Sequence, residues 1–93
     1  MKRATWHGAV IAESDAIQIV DGYPYFPPES IRWDHLRPIE KTSVCGWKGT
    51  ASYFDVVVGG EVNGGAAWVY ETTKPAAKHV EGHIGFWRGV AIE

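Results

Sequence analysis

Cysteine is nearly absent: Cys45 is the only one in 93 residues. No disulfide can form within the chain, so noncovalent packing must hold the fold, and a reducing compartment, the cytoplasm, is the expected location. Long hydrophobic runs are missing as well. No stretch approaches the ~18–20 apolar residues of a membrane span. The opening Met1-Lys2-Arg3-Ala4-Thr5-Trp6-His7-Gly8 has no apolar run of signal-peptide length. An excess of positive charge is lacking too. The formal net charge is −2, with acids and bases interleaved, so neither a cationic face for nucleic acid nor a basic tail for anionic membranes is visible. The expected partners therefore include no nucleic acid and no membrane.

What is present describes a small folded domain. A composition 45% hydrophobic and 22% charged is ordinary for a globular chain and unlike a disordered one. The length predicts one domain over residues 1–93. A chain of this size buries only roughly 60–65% of its unfolded surface, so its core is thin. Eleven glycines suit tight turns and bulges. Five tryptophans supply large buried area to a short chain. A thin core has no room for every indole, so one or two are expected to line a cleft.

The pattern along the chain is mostly that of strands. Ala9–Ile11 and Ala16–Val20 read as two strands about a turn at Glu13-Ser14-Asp15, and Asp21-Gly22 is a further turn signal. Tyr23-Pro24-Tyr25-Phe26-Pro27-Pro28 predicts an extended edge segment, since proline suits neither a helix interior nor a central strand. Glu29–Leu36 fits a helical turn or an irregular strand equally, and Arg37-Pro38 should end it. Thr42–Cys45 is compatible with a strand. Ala51–Val58, rich in β-branched and aromatic residues, is the clearest strand, followed by Ala66–Tyr70 after turn signals at Gly59-Gly60 and Asn63-Gly64-Gly65. One short helix is predicted near residues 75–81, with Pro75 at its first position and Gly82 just past its end. Ile84, Phe86 and Val90 close the chain in a last strand region. The fold class is therefore all-β: a small antiparallel sheet curled on itself, with little helix.

Cys45-Gly46-Trp47-Lys48-Gly49 is the densest polar-aromatic cluster. Flanking glycines let backbone approach a ligand, and a lysine can fix an anion. A nearby cation would also favour the thiolate of Cys45, whereas a free cysteine is often a buried, inert hydrophobe. The fragment is no phosphate loop: Gly46 and Gly49 have two residues between them instead of four, and a strand follows. Histidines at positions 7, 35, 79 and 83 could serve a thiol nucleophile, but Gly82 breaks the helical spacing of His79 and His83 needed for a metal face. One cysteine excludes a four-cysteine zinc site, so no metal and no cofactor are expected. Glu13, Asp15, Asp21, Asp34 and Asp55 could supply paired carboxylates, yet most sit beside turn residues and no spacing singles out a pair.

The order Tyr25-Phe26-Pro27, Thr42-x-x-Cys45-x-Trp47-Lys48-Gly49-x-Ala51-x-Tyr53, Ala66-Ala67-Trp68-x-Tyr70 and Ile84-x-Phe86 resembles domain-of-unknown-function family 427. Trp6-x-Gly8 and Ile11-Ala12-Glu13-Ser14 look like that family too, so the likeness runs from Trp6 to Val90. Gly46 departs from it, standing where the family usually has proline, which should loosen the loop. The resemblance implies a compact all-β domain similar to the Mss4-like folds. The family sometimes bears a nucleotidyltransferase-like label. Such transferases show a Gly-Ser pair followed by paired aspartates holding magnesium, and this chain has no such arrangement. The matched residues Cys45, Trp47, Lys48, Tyr53, Trp68 and Tyr70 mark a site without naming its chemistry.

Three readings stand open on the sequence. In the first, a small anionic or aromatic metabolite binds in a pocket walled by Tyr25, Trp47, Tyr53, Trp68 and Tyr70, with Lys48 on the anion and Cys45 nearby. In the second, the chain is an enzyme using Cys45 or Lys48 with a titratable neighbour. In the third, it is a structural module acting as a homodimer, with no pocket and a sizeable apolar interface.

Overall fold

Segments rich in β-branched and aromatic side chains fold as strands in the computed structural model, which describes residues 1–93. The strands are β1 (Lys2–Trp6), β2 (Ala9–Ser14), β3 (Gln18–Val20), β4 (Tyr23–Phe26), β5 (Leu36–Cys45), β6 (Gly49–Val58), β7 (Glu61–Val69), β8 (Ile84–Phe86) and β9 (Ala91–Ile92). Short 3-10 turns at Pro28–Ser30, Trp33–His35 and Pro75–Val80 supply the helical pieces. The fold is mainly β and antiparallel throughout, as the spacing of strands and turns predicts. It is built as two sheets: a large one in the order β3-β4-β8-β7-β6-β5 and a small one in the order β2-β1-β9.

The large sheet has two buried faces, and side-chain alternation sorts residues between them. On one face Phe26, Val56, Ala67, Val69, Ile84 and Phe86 meet Ala4, Ile11 and Ala12 of the small sheet, forming the main apolar core. On the other face Val20, Tyr25, Ala51, Trp68 and Tyr70 gather under Ala77 and Val80 of the third 3-10 turn. That second face carries the site.

Several elements differ from the sequence pattern for identifiable reasons. No strand is predicted at Lys2–Trp6, because only Ala4 there is buried, yet β1 pairs with both β2 and β9. The expected turn at Glu13-Ser14 is strand, because Arg3 faces Glu13 across the pair and their side chains form an ion pair. The Tyr23–Phe26 segment is internal rather than an edge, lying between β3 and β8. Proline is tolerated because β8 pairs only with Tyr25 and Phe26 and stops short of Pro24. Likewise β5 continues through Arg37-Pro38, with its register shifting between Pro38 and Thr42. Asn63-Gly64-Gly65 is not a turn. It lies within β7, where Phe54 pairs with Ala67 but Val56 with Asn63, and Gly65 takes φ 64° to absorb the extra residues as a bulge. The helical piece over residues 75–80 starts at Pro75 as predicted. It is 3-10 rather than α-helical and bends at Ala77 (φ −114°, ψ 17°), since two turns held only by Ala77 and Val80 cannot sustain a regular α-helix.

Candidate functional site

Residues two apart on neighbouring strands put their side chains on one face, and here that rule brings together Tyr23 and Tyr25 of β4, Ala51 and Tyr53 of β6, Trp68 and Tyr70 at the end of β7, and Gly85 and Trp87 at β8. Trp68 lies at the centre. Gly85 pairs with it across the strands, and a Cβ at position 85 would stand 2.5 Å from Trp68 Cζ2. The indole therefore lies flat against bare backbone, which only glycine permits. Its Nε1–H donates to the Tyr25 hydroxyl at 3.2 Å. Tyr25, Tyr23 and Trp87 meet it edge-on, with centroids 5.9, 5.4 and 5.6 Å away. Between these rings is a pocket of about 160 Å³, lined by Tyr23, Tyr25, Tyr53, Trp68, Tyr70 and Trp87 together with a single charged group, Lys48.

Lys48 reaches the pocket because the β5–β6 hairpin is pinned from outside. Gly46, Trp47 and Lys48 form the turn between the paired Cys45 and Gly49. Gly49 has φ 127°, and a Cβ there would approach the Thr72 carbonyl oxygen to 3.1 Å. The Lys74 amide donates to the Lys48 carbonyl at 3.0 Å, and the Lys74 ammonium to the Gly46 carbonyl at 2.6 Å. With its backbone held, Lys48 turns its side chain inward and is only 6% exposed. Its ammonium donates to Asp21 Oδ2 at 3.0 Å and lies 4.8 Å from the Trp47 ring centroid and 5.6 Å from that of Tyr70. Burial pulls the Lys48 pKa down, but the hydrogen bond to Asp21 and the nearby Tyr25, Tyr70 and Cys45 outweigh it and hold the pKa above the ordinary lysine value. Lys48 is therefore a fixed cation at neutral pH, not a free-amine nucleophile. Burial pushes the Tyr70 hydroxyl up to about 12, and raises that of Tyr25 as well.

Cys45 is half-buried beside this site. Hydrogen bonding from the Trp47 backbone lowers its thiol pKa, with the neighbouring Lys48 acting in the same direction against burial. No hydrogen bond joins its thiol to any of the four histidines: His35 Nδ1 is engaged by the Val57 carbonyl, His83 Nδ1 by that of Glu81, His7 stacks on Trp6, and His79 makes no side-chain hydrogen bond. A thiol nucleophile paired with histidine is not assembled here.

Of the residues singled out from sequence, Lys48, Tyr25, Tyr53, Trp68 and Tyr70 line the pocket together. Trp47 lies over the Lys48 ammonium but is 39% exposed and outside the lining, as is Cys45. Trp87 escaped the sequence reading, while Tyr23 entered it only within the extended aromatic segment and Asp21 only as a turn residue and one of five scattered carboxylates. The first two carry a signal: Tyr23 stands two before Tyr25 and Trp87 two after Gly85, on the same face. Trp87 is hung from the β7 bulge, where Asp55 Oδ1 accepts from the Gly65 amide at 2.9 Å and the Gly65 carbonyl accepts from Trp87 Nε1 at 2.7 Å. Asp21 carries no such signal, because the turn that delivers it meets Lys48 only in three dimensions.

A larger hollow of about 450 Å³ lies along Gly49, Thr50, Ser52 and Glu71–Lys74. It is a broad, open polar trough with no ring and no buried charge, so the aromatic pocket is the stronger candidate site. No cluster of three or more His, Cys, Asp or Glu side chains is placed to hold a metal ion. No helix is long and apolar enough to cross a membrane. No curated protein is significantly similar to the chain. The family described as Domain of unknown function (DUF427) matches residues 2–92, nearly the whole sequence that folds into these two sheets, and the chain belongs to that family.

Proposed function

We propose that this chain is a small-molecule-binding domain whose ligand has a flat apolar body and an anionic group. The body lies among the six rings and the anionic group meets Lys48. The observation that carries this reading is the placement of Lys48: a lysine only 6% exposed, opening onto a pocket whose other lining residues are all aromatic. Concave, mostly apolar sites with one or two convergent polar groups are how small ligands are held and oriented. The size bounds the ligand. Ordinary ligand pockets measure about 300–1,000 Å³, whereas cavities of roughly 150 Å³ accept a single benzene ring. At about 160 Å³ this pocket takes one ring or its equivalent, not a nucleotide. The unpaired Cys45 supports a reducing compartment such as the cytoplasm as the place where this occurs.

A thermal-shift screen of one-ring metabolites, charged and neutral, tests the reading on the native chain and on Lys48→Met, which keeps the apolar stem. A ligand at 100 times its Kd adds about 2.7 kcal/mol to the folded state, which raises the Tm of a domain this small by on the order of 10 °C. The expected result is such a rise for anionic ring compounds with the native chain and its loss in Lys48→Met. A library in which no one-ring compound moves the native Tm would overturn the proposal.

A further inference from the structure

The Lys48 ammonium already holds an anion. Asp21 Oδ2 receives its hydrogen bond at 3.0 Å, and this is its only ion pair. The two partners differ sharply in setting. The Lys48 side chain is 8% exposed, while the Asp21 side chain is 59% exposed. Asp21 belongs to the tight turn between β3 and β4, where Asp21 has φ 53° and Gly22 φ 81°. Both residues are left-handed, the pattern of a two-residue hairpin turn. Asp21 thus reaches in from solvent at a turn, two residues before Tyr23 of the pocket wall, and sets its carboxylate on the one cation there.

From this arrangement we infer that Asp21 is a built-in competitor for the anion position, and that the ligand it mimics is a monocarboxylate of single-ring size whose carboxylate displaces Asp21 from Lys48. The inference rests on the binding function proposed above and deepens it by naming the ligand class. Charge selects the carboxylate. One ammonium balances one negative charge, and among the lining residues no arginine or second lysine stands beside it for a phosphate dianion. The space beside the ammonium is already shaped by a carboxylate. The Tyr70 hydroxyl, which makes no hydrogen bond within the chain, has its proton held firmly by its raised pKa and is free to donate to a second carboxylate oxygen. Displacement is inexpensive on the Asp21 side, because a carboxylate already largely in water loses little on release. The Asp21 turn then acts as a latch: closed on Lys48 when the pocket holds no ligand, and released when a carboxylate enters.

The test compares benzoate, phenyl phosphate and toluene by titration of tryptophan fluorescence on the native chain, Asp21→Asn and Lys48→Met. Asparagine tolerates the left-handed conformation and suits this turn before glycine, so Asp21→Asn keeps the hairpin. The expected result is benzoate binding to the native chain and about fivefold tighter binding to Asp21→Asn, the factor released by removing a competing pair of partly exposed charges. Lys48→Met is expected to lose benzoate while still accepting toluene. Benzoate affinity unchanged or weakened in Asp21→Asn overturns the competitor role while leaving the pocket's binding function standing. Phenyl phosphate preferred over benzoate, or toluene bound as tightly as benzoate by the native chain, overturns the carboxylate assignment. Absence of binding by all three probes to every variant overturns the assignment together with the binding function itself.

Discussion

Gly85 supports the whole aromatic face, and replacing it with alanine tests that claim on stability alone. The new Cβ would stand 2.5 Å from Trp68 Cζ2 and 2.6 Å from Cε2, distances real Cβ atoms do not show. The indole cannot slide freely, because Tyr23, Tyr25 and Trp87 meet it on several sides. Overpacking of this kind costs about 1–3 kcal/mol. Moving the indole also breaks its hydrogen bond to Tyr25, worth about 1 kcal/mol. Against these, alanine narrows the unfolded ensemble and returns about 0.5 kcal/mol, since Gly85 has an ordinary φ that alanine can adopt. The net is a loss of about 1.5–3.5 kcal/mol, equivalent to a Tm lowered by roughly 5–30 °C for a domain this small. Urea denaturation followed by tryptophan fluorescence measures it as a midpoint lowered by about 1–2 M, taking the usual m-value for a small domain. The same substitution in a Trp68→Leu background should cost less than about 0.5 kcal/mol, because leucine has no atoms where the clash occurs, and the difference is the coupling between the two positions. A Gly85→Ala protein as stable as the native one, or a cost that persists unchanged in the Trp68→Leu background, would refute the close approach that places Trp68.

Other outcomes follow from the charged and titratable groups. Asp55 has its pKa lowered by the Arg37 guanidinium and the Gly65 amide. A depressed carboxylate stabilises the fold above its unfolded pKa and ceases to as pH falls through the folded one, so the native chain should lose stability on acidification below about pH 4 more steeply than Asp55→Asn, measured by Tm against pH. Burial raises Tyr70 to about 12. A raised pKa leaves its contribution intact below the unfolded value and removes it as pH rises through the folded one, so ultraviolet titration should show late ionisation of Tyr70, and stability should decline between pH 10 and 12 less in Tyr70→Phe than in the native chain.

The mainly-β class was legible because alternation and glycine-punctuated strands are local signals. The clearest strand, Ala51–Val58, lies inside β6, and the aromatic pairs Trp68/Tyr70 and Tyr23/Tyr25 fall on one face by period two alone. What stayed hidden depends on contacts between distant segments. Asn63-Gly64-Gly65 carries turn chemistry, yet Asp55 from the neighbouring strand and Trp87 from beyond β8 hold it as a bulge. Lys2–Trp6 shows a polar face to solvent and becomes a strand only because Ala12 and Ile92 flank Ala4. The inward turn of Lys48 depends on Lys74 gripping the hairpin from outside. Pairing of strands is readable from sequence one segment at a time; the clamp that aims a side chain between them is not.

The pocket also sits where the fold works against its own stability. An ammonium carried out of water loses its hydration and depends on Asp21 and the groups around it to offset that loss. Rings that leave a gap forgo the contacts that close packing would supply. The Asp21 side chain reaches Lys48 from a left-handed backbone that most residues avoid. A methionine at position 48 removes the desolvation cost and the ion pair that offsets it together, so urea denaturation should show a change in stability of no more than about 1 kcal/mol. In a domain with so thin a core, these costs fall together on one face, while the opposite face is packed with Phe26, Ile84 and Phe86 and contains neither charge nor pocket. Packing requirements account for that opposite face. They do not account for Lys48 among six rings; the proposed carboxylate ligand would, by taking over the ion pair from Asp21 and filling the gap between the rings.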